Sequence, residues 1–182
     1  MKIKLDKTIF LNSMMKKIAL SDDELAAIRA YQSPGNDGKS GEINRALYDD
    51  NYYTSPEIQH YIDTLTSACD RGILEYQIEV LRGENDFYGI AHSKNDSSLV
   101  GKVFEKKGFL STSISRPHSR QIIYRLTVPR GTHCLYLRNL AQDEVSGKWE
   151  DELLIQRGYK IQIDKIVRDE TGPTVYAHLI IN

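Results

Sequence analysis

The chain has little of several things. Among its 182 residues are two cysteines, five prolines and one tryptophan. Cys69 and Cys134 lie far apart, so neither a disulfide framework nor a cysteine-based zinc site is expected; only a single bridge between them stays open. No apolar run approaches the ~20 residues that span a bilayer. The segment Met1-Lys2-Ile3-Lys4-Leu5-Asp6 is basic but lacks the apolar stretch that follows in a secretory signal. An excess of one charge is missing too: 24 Lys and Arg against 25 Asp and Glu leave a net −1. That balance offers no field for non-specific nucleic-acid binding or for an anionic membrane surface. The five histidines do not pair at metal-ligand spacing with one another or with the cysteines, so no metal is expected. His118, in a Ser/Arg/Pro-rich loop, and His178, in an alternating segment, read as ordinary surface or core residues.

What is present describes an ordinary globular protein, with 40% hydrophobic and 27% charged residues and room for a self-sufficient core. One domain over 1–182 is expected, helical over 1–72 and mainly strands over 73–182. Ile9, Phe10, Met14, Ile18 and Leu20 recur at helical spacing. Ser21-Asp22-Asp23-Glu24 is a capping box opening a second helix through Leu25, Ile28 and Tyr31. A loop from Ser33 to Gly41 leads to a short helix through Ile43 and Leu47. Ser55-Pro56-Glu57 starts a fourth helix, carrying Ile58, Ile62 and Leu65, with Gly72 as its stop.

Beyond Gly72 the period changes to two. Strands are expected over Gln77–Arg82, Phe109–Ser113, Gln121–Val128, His133–Leu137, Glu150–Gln156, Lys160–Val167 and Thr174–Ile181. Helices first and strands later predict an α+β fold and argue against a doubly wound parallel sheet. Glu105-Lys106-Lys107 reads as a solvated turn. The Gly38-Lys39-Ser40 sequence suggests a phosphate loop, but the motif requires glycine where Ser33 stands and a preceding strand where a helix is expected.

Three elements remain, each on or at the end of an expected strand: Arg82-Gly83, Ser111-Thr112-Ser113, and Glu150-Asp151-Glu152. Residues two apart share a strand face, so Glu150 and Glu152 point one way and Asp151 the other, and Ser111 and Ser113 oppose Thr112. Taken singly, each has an ordinary account as a solvated charge or a wet strand face. Together they do not, because Leu153-Leu154-Ile155 carries the acidic strand into a core and two like charges on one face call for a cation opposite.

The order Arg, Ser-Thr-Ser, Glu-x-Glu resembles the R-S-E class of bacterial mono-ADP-ribosyltransferase exoenzymes, which includes the binary actin-modifying toxins and the C3-like transferases. The longer stretches Gly108-Phe109-Leu110-Ser111-Thr112-Ser113-Ile114 and Glu150-Asp151-Glu152-Leu153-Leu154-Ile155-Gln156-Arg157-Gly158 are similar to that family's signatures, as are Leu20–Tyr31 and Glu42-Ile43-Asn44. The resemblance spans roughly Leu20 to Ile181. It implies N-terminal helices followed by two packed, mainly antiparallel sheets forming an NAD cleft.

The chemistry suits these residues. Breaking the nicotinamide–ribose bond gives an oxocarbenium-like sugar, and nicotinamide leaves neutral, so a fixed carboxylate helps more than an acid. Glu152 is assigned that role, with Ser111 holding it by a hydrogen bond. Arg82 offers a rigid fork to the pyrophosphate, and Gly83 lets the backbone approach nicotinamide closely. The resemblance extends the NAD-binding set to Thr112, Ser113 and Arg120. It also makes Glu150 the residue that captures and polarises an arginine acceptor, because glutamine there accompanies asparagine acceptors. Trp149, in the Asn139–Trp149 loop, falls in the family's target-recognition segment. Three positions depart from the pattern: Pro117 beside His118 stands where an aromatic covers nicotinamide, Gly108 replaces an asparagine, and Gly147 replaces an aromatic.

The expected function is therefore mono-ADP-ribosyl transfer from NAD to a protein, on arginine, as a toxin or effector. The alternatives are an NAD glycohydrolase using water, and a catalytically idle binding or structural module on the same fold. Expected partners are a protein substrate and a separate delivery component, with no membrane or nucleic acid. Without a signal peptide, the protein is expected in the producer's cytoplasm or, by a non-classical route, in a target cell's cytosol.

Overall fold

Helix boundaries follow local chemistry closely. In the computed structural model, which describes residues 7–33, 38–85, 96–115, 121–137, 151–170 and 172–181, four helices come first: α1 Lys7–Lys16, α2 Asp22–Gln32, α3 Ser40–Tyr48 and α4 Pro56–Arg71. The capping box of α2 is formed on both sides, with the Glu24 N–H donating to Ser21 Oγ at 3.2 Å and the Ser21 N–H to Glu24 Oε2 at 2.9 Å. Such caps contribute about 1 kcal/mol. Ser55 caps α4 through the Ile58 N–H, with Pro56 at its first position. Arg71 in the last turn of α4 donates to Glu24 Oε2 and to the Ala19 carbonyl, tying the end of α4 to the start of α2.

Gly72 does stop α4, and the reason is space. Its φ of −88° is open to any residue, but a Cβ there would lie 1.9 Å from the Cys134 carbonyl oxygen. Both cysteines are buried and free, so the one bridge left open is not formed.

The strands are β1 Ile78–Glu84, β2 Val103–Lys106, β3 Leu110–Ser113, β4 Ile122–Val128, β5 Cys134–Tyr136, β6 Glu152–Ile155, β7 Tyr159–Asp169 and β8 Gly172–Ile180. They form a ladder in the order β2-β7-β8-β4-β1-β3-β6-β5, antiparallel except for the β4–β8 pair. Strand β2 corrects one expectation. Glu105 and Lys106 are not a solvated turn but pair with Lys160 and Tyr159 on β7. The segment is too short for its alternation to stand out against three charged residues in a row.

The ladder behaves as two packed sheets. Seven registered pairs join β1 to β4, whereas β1 and β3 share only Leu81↔Ser113. The β3-β6-β5 half is covered on both sides. One face, with Leu110, Cys134, Tyr136, Leu153 and Ile155, packs against Val80, Leu126, Ile163 and Val175 of the larger half. Its other face, with Phe109, Leu135, Leu137 and Leu154, packs under Ile28, Ile43, Ile58, Ile62 and Leu65 of the helices. All four residues of β6 are buried as a result, which is why Glu152-Leu153-Leu154-Ile155 reads as a continuous run and not an alternation.

Candidate active site

The acidic end of β6 enters the core with its charge. Glu152 is 5% exposed and lies directly across the β3–β6 ladder from Ser113. Opposed residues share a face, and that face is the helix-covered one, since Leu154, two residues on, belongs to the helix-side core. Gln32, the last residue of α2, donates from Nε2 to Glu152 Oε2 at 2.6 Å. Asp151 points the other way, as expected, and accepts from the Tyr136 hydroxyl at 3.1 Å.

Register sets both serines of β3 on the Glu152 face, one directly opposite it and one diagonal to it. The cross-strand partner of Ser111 is Leu154, and Ser113 is the serine set opposite Glu152. Two residues along β3 separate the two serines, and two along β6 separate Leu154 from Glu152. Ser111 also offers its carbonyl oxygen to Arg82 Nη1. Thr112 faces the other side of β3: it is 4% exposed and its hydroxyl donates to the Leu153 carbonyl at 2.7 Å, fixing β3 to β6.

Arg82 is held at two points. Nε donates to Glu84 Oε1 at 2.6 Å while Nη1 reaches Ser111 on the neighbouring strand. Two of the five guanidinium donors are thus used to fix its direction. Glu84 lies 3.9 Å from Lys106 Nζ, and burial, with the Arg82 charge second, lowers the Lys106 pKa. Arg82, Glu84 and Lys106 line one pocket with Leu110, Tyr124, Leu126 and Ile161, at the end of the inter-sheet core. Gly83 pairs with Ile123 of β4.

Tyr31 lies within electrostatic reach of both charged groups. It is 5% exposed, packs edge-on against Phe109 with ring centroids 6.0 Å apart, and its hydroxyl accepts from Asn44 Nδ2 at 3.2 Å. Burial pushes its pKa up to about 12, the Asn44 hydrogen bond works against that, and Glu152 and Arg82 act on it in opposite directions. Gly108 allows this packing, because a Cβ there would lie 2.5 Å from Asn44 Oδ1 and 2.8 Å from Tyr48 Cε2.

Arg82, Ser111, Ser113 and Glu152 are therefore brought to one region. Glu150, Trp149, Arg120, Pro117, His118 and Gly147 lie outside the described residues. Sequence reasoning missed Gln32, Glu84 and Lys106. Gln32 follows the last periodic residue of α2, and no pattern marks a residue whose partner stands 120 positions away. Among the described residues no cluster of three or more His, Cys, Asp or Glu could hold a metal.

The family model for ADP-ribosyltransferase exoenzymes matches residues 8–179, so the chain belongs to that family. The fold is similar to the C3 exoenzyme of Clostridium limosum (TM-score 0.78, 17% identity, 96% of this chain and 93% of that one). It is equally similar to C3stau2 from S. aureus, solved with NAD (TM-score 0.78, 18% identity, 100% and 98%). BECa, the ADP-ribosylating toxin of a C. perfringens binary enterotoxin solved with NADH, gives a TM-score of 0.73 at 24% identity. There the match covers 96% of this chain but 48% of that one, so this chain spans about half of BECa. No curated protein matches the sequence.

Proposed function

We propose that this protein is a mono-ADP-ribosyltransferase that moves ADP-ribose from NAD to an arginine side chain of a target protein and releases nicotinamide. The observation that carries the reading is Glu152, a carboxylate 5% exposed, set opposite Ser113 on a strand that enters the core. Family membership supports the reaction class, and NAD as the donor is supported by C3stau2, solved with NAD.

In this reading the bond between nicotinamide and ribose C1′ breaks, and its electron pair leaves with neutral nicotinamide. The ribose becomes an oxocarbenium ion facing Glu152, whose fixed negative charge stabilises it. The donors of Arg82 not engaged with Glu84 and Ser111 suit the pyrophosphate. An acceptor nitrogen attacks C1′ and loses its proton. By the family resemblance, Glu150, two positions before Glu152 in sequence, draws a guanidinium toward the sugar.

The proposal extends to a target in another cell's cytosol, reached through a separate delivery component. Incubation with labelled NAD and a host-cell lysate, followed by mass spectrometry of the labelled protein, tests it. ADP-ribose on arginine is expected. Label on asparagine would contradict the acceptor assignment, and nicotinamide release without any labelled protein would point to water as acceptor.

A further inference from the structure

We infer that Gln32 is a positioning residue for Glu152: its side-chain amide fixes the carboxylate that faces the reacting sugar. The inference rests on the reading of Glu152 given above. It starts from a hydrogen bond of 2.6 Å between Gln32 Nε2 and Glu152 Oε2, across 120 residues of sequence. Bonds from a donor to an ionised carboxylate are shorter and stronger than neutral ones, and a carboxylate 5% exposed has little water to orient it otherwise.

Gln32 is well placed to hold something. It ends α2, a helix fixed at its start by the Ser21–Glu24 capping box and at its end by two bonds to the Arg29 carbonyl, from the Ser33 N–H and the Ser33 hydroxyl. Arg71 ties the first turn to α4. The amide therefore arrives from a rigid element, not from the loop that follows.

The cost of the arrangement points the same way. With Nε2 on the carboxylate, Gln32 Oε1 is buried without a donor among the described residues. Turning the amide over would set two acceptors against each other, so the orphaned oxygen follows from serving Glu152. A buried acceptor left unmade is unfavourable for stability. An apolar side chain would fill the space without that defect, and none is there.

The groups acting around Glu152 make the effect readable. Tyr31 on α2 is raised to about 12 and Cys69 on α4 is raised well above the ordinary thiol range, each chiefly by burial. Both stay neutral through the working range. Arg82 on β1 is the cation that acts in the same region. Against these neutral neighbours, a change in the surroundings of Glu152 appears as a change in its titration.

The test uses the whole chain labelled at the glutamate carboxyl carbon, with Glu152→Gln to assign the signal. Gln32→Met removes the donor and keeps the length; Gln32→Glu sets a like charge against Glu152. In Gln32→Met the Glu152 titration midpoint should rise by about one pH unit. Turnover in nicotinamide release should fall on the order of 10–100-fold, with the KM for NAD within about threefold, since an aligning contact has been lost and not a binding one. Gln32→Glu should move the midpoint further. Gln32→Asn, one methylene short, should not restore turnover. Thermal melting of each variant checks that it folds, and Gln32→Glu serves as the second probe should Gln32→Met not. An unmoved midpoint, or a moved midpoint with wild-type turnover, would overturn the inference. Should the wild type release no nicotinamide, the reading of Glu152 itself would fall, whatever its titration.

Discussion

Leu81 and Ser113 form the one registered pair joining β1 to β3 among the described residues, and the candidate site is built around that junction. Arg82 is the next residue on β1, and Ser113 is itself paired with Glu152 on β6. Arg82 and Glu152 thus flank the same junction, one on β1 and the other on β6. The bond from Arg82 to the Ser111 carbonyl crosses the same junction.

Arg82→Lys should weaken NAD binding while leaving the fold in place. A lysine keeps the charge but cannot meet Glu84 and the Ser111 carbonyl with one planar fork. Losing a charge-assisted contact of this kind costs about 1.5–3 kcal/mol, which corresponds to a Kd for NAD raised roughly 10–100-fold. Calorimetric titration with NAD measures it, and an unchanged Kd would remove Arg82 from the NAD site.

Glu150→Gln should separate transfer from cleavage. Neutralising it leaves the carboxylate at Glu152 in place, so nicotinamide release into water should persist within about threefold, whereas arginine modification should fall by about 10²-fold or more. If the two activities fell together, Glu150 would belong with the NAD-cleaving group.

Gly72→Ala should be strongly destabilising although the residue is far from the chemistry. The added Cβ would stand 1.9 Å from the Cys134 carbonyl oxygen, and the Cys134 N–H donates to the Gly72 carbonyl at 2.9 Å. Helix and strand must move apart, at a cost of about 3 kcal/mol and roughly 6–12 °C in melting temperature. A melting temperature within a degree of wild type would show that the α4–β5 contact yields easily.

Much of this was legible in the sequence because it is local. The Ser21 and Ser55 caps, the Gly72 stop and the alternation in Ile122–Val128 each depend on a few neighbouring residues, and each appears where expected. Register is not local. Spacing showed that Ser111 and Ser113 share a face, but only the β3–β6 pairing decides that Ser113 stands opposite Glu152. Gln32, Glu84 and Lys106 enter the site through contacts from α2, β1 and β2, and no window of sequence contains both partners of Gln32–Glu152 or of Glu84–Lys106.

Acid should remove one surface contribution to stability. Arg168 donates to both carboxylate oxygens of Asp96, at 2.6 and 2.8 Å, and this hydrogen bonding holds the Asp96 pKa below its ordinary value. A depressed carboxylate stabilises the fold above its unfolded pKa, and the gain is lost as pH falls through the folded one. The pair is partly exposed and screened, so it contributes on the order of 0.5 kcal/mol. Asp96→Asn should melt slightly below wild type at pH 7 and level with it once Asp96 is protonated. A gap that persists at pH 2 would assign the effect to something other than charge.

The central claim is that Glu152 stabilises the cleaving ribose, and turnover of NAD by Glu152→Gln tests it most directly. The substitution keeps the shape and the capacity to hydrogen-bond but removes the charge. Nicotinamide release should fall on the order of 10²–10³-fold, with NAD still bound near its wild-type Kd by calorimetry. Near-normal release with NAD bound would contradict the account, because the carboxylate set opposite Ser113 would then not be the one that faces the reaction.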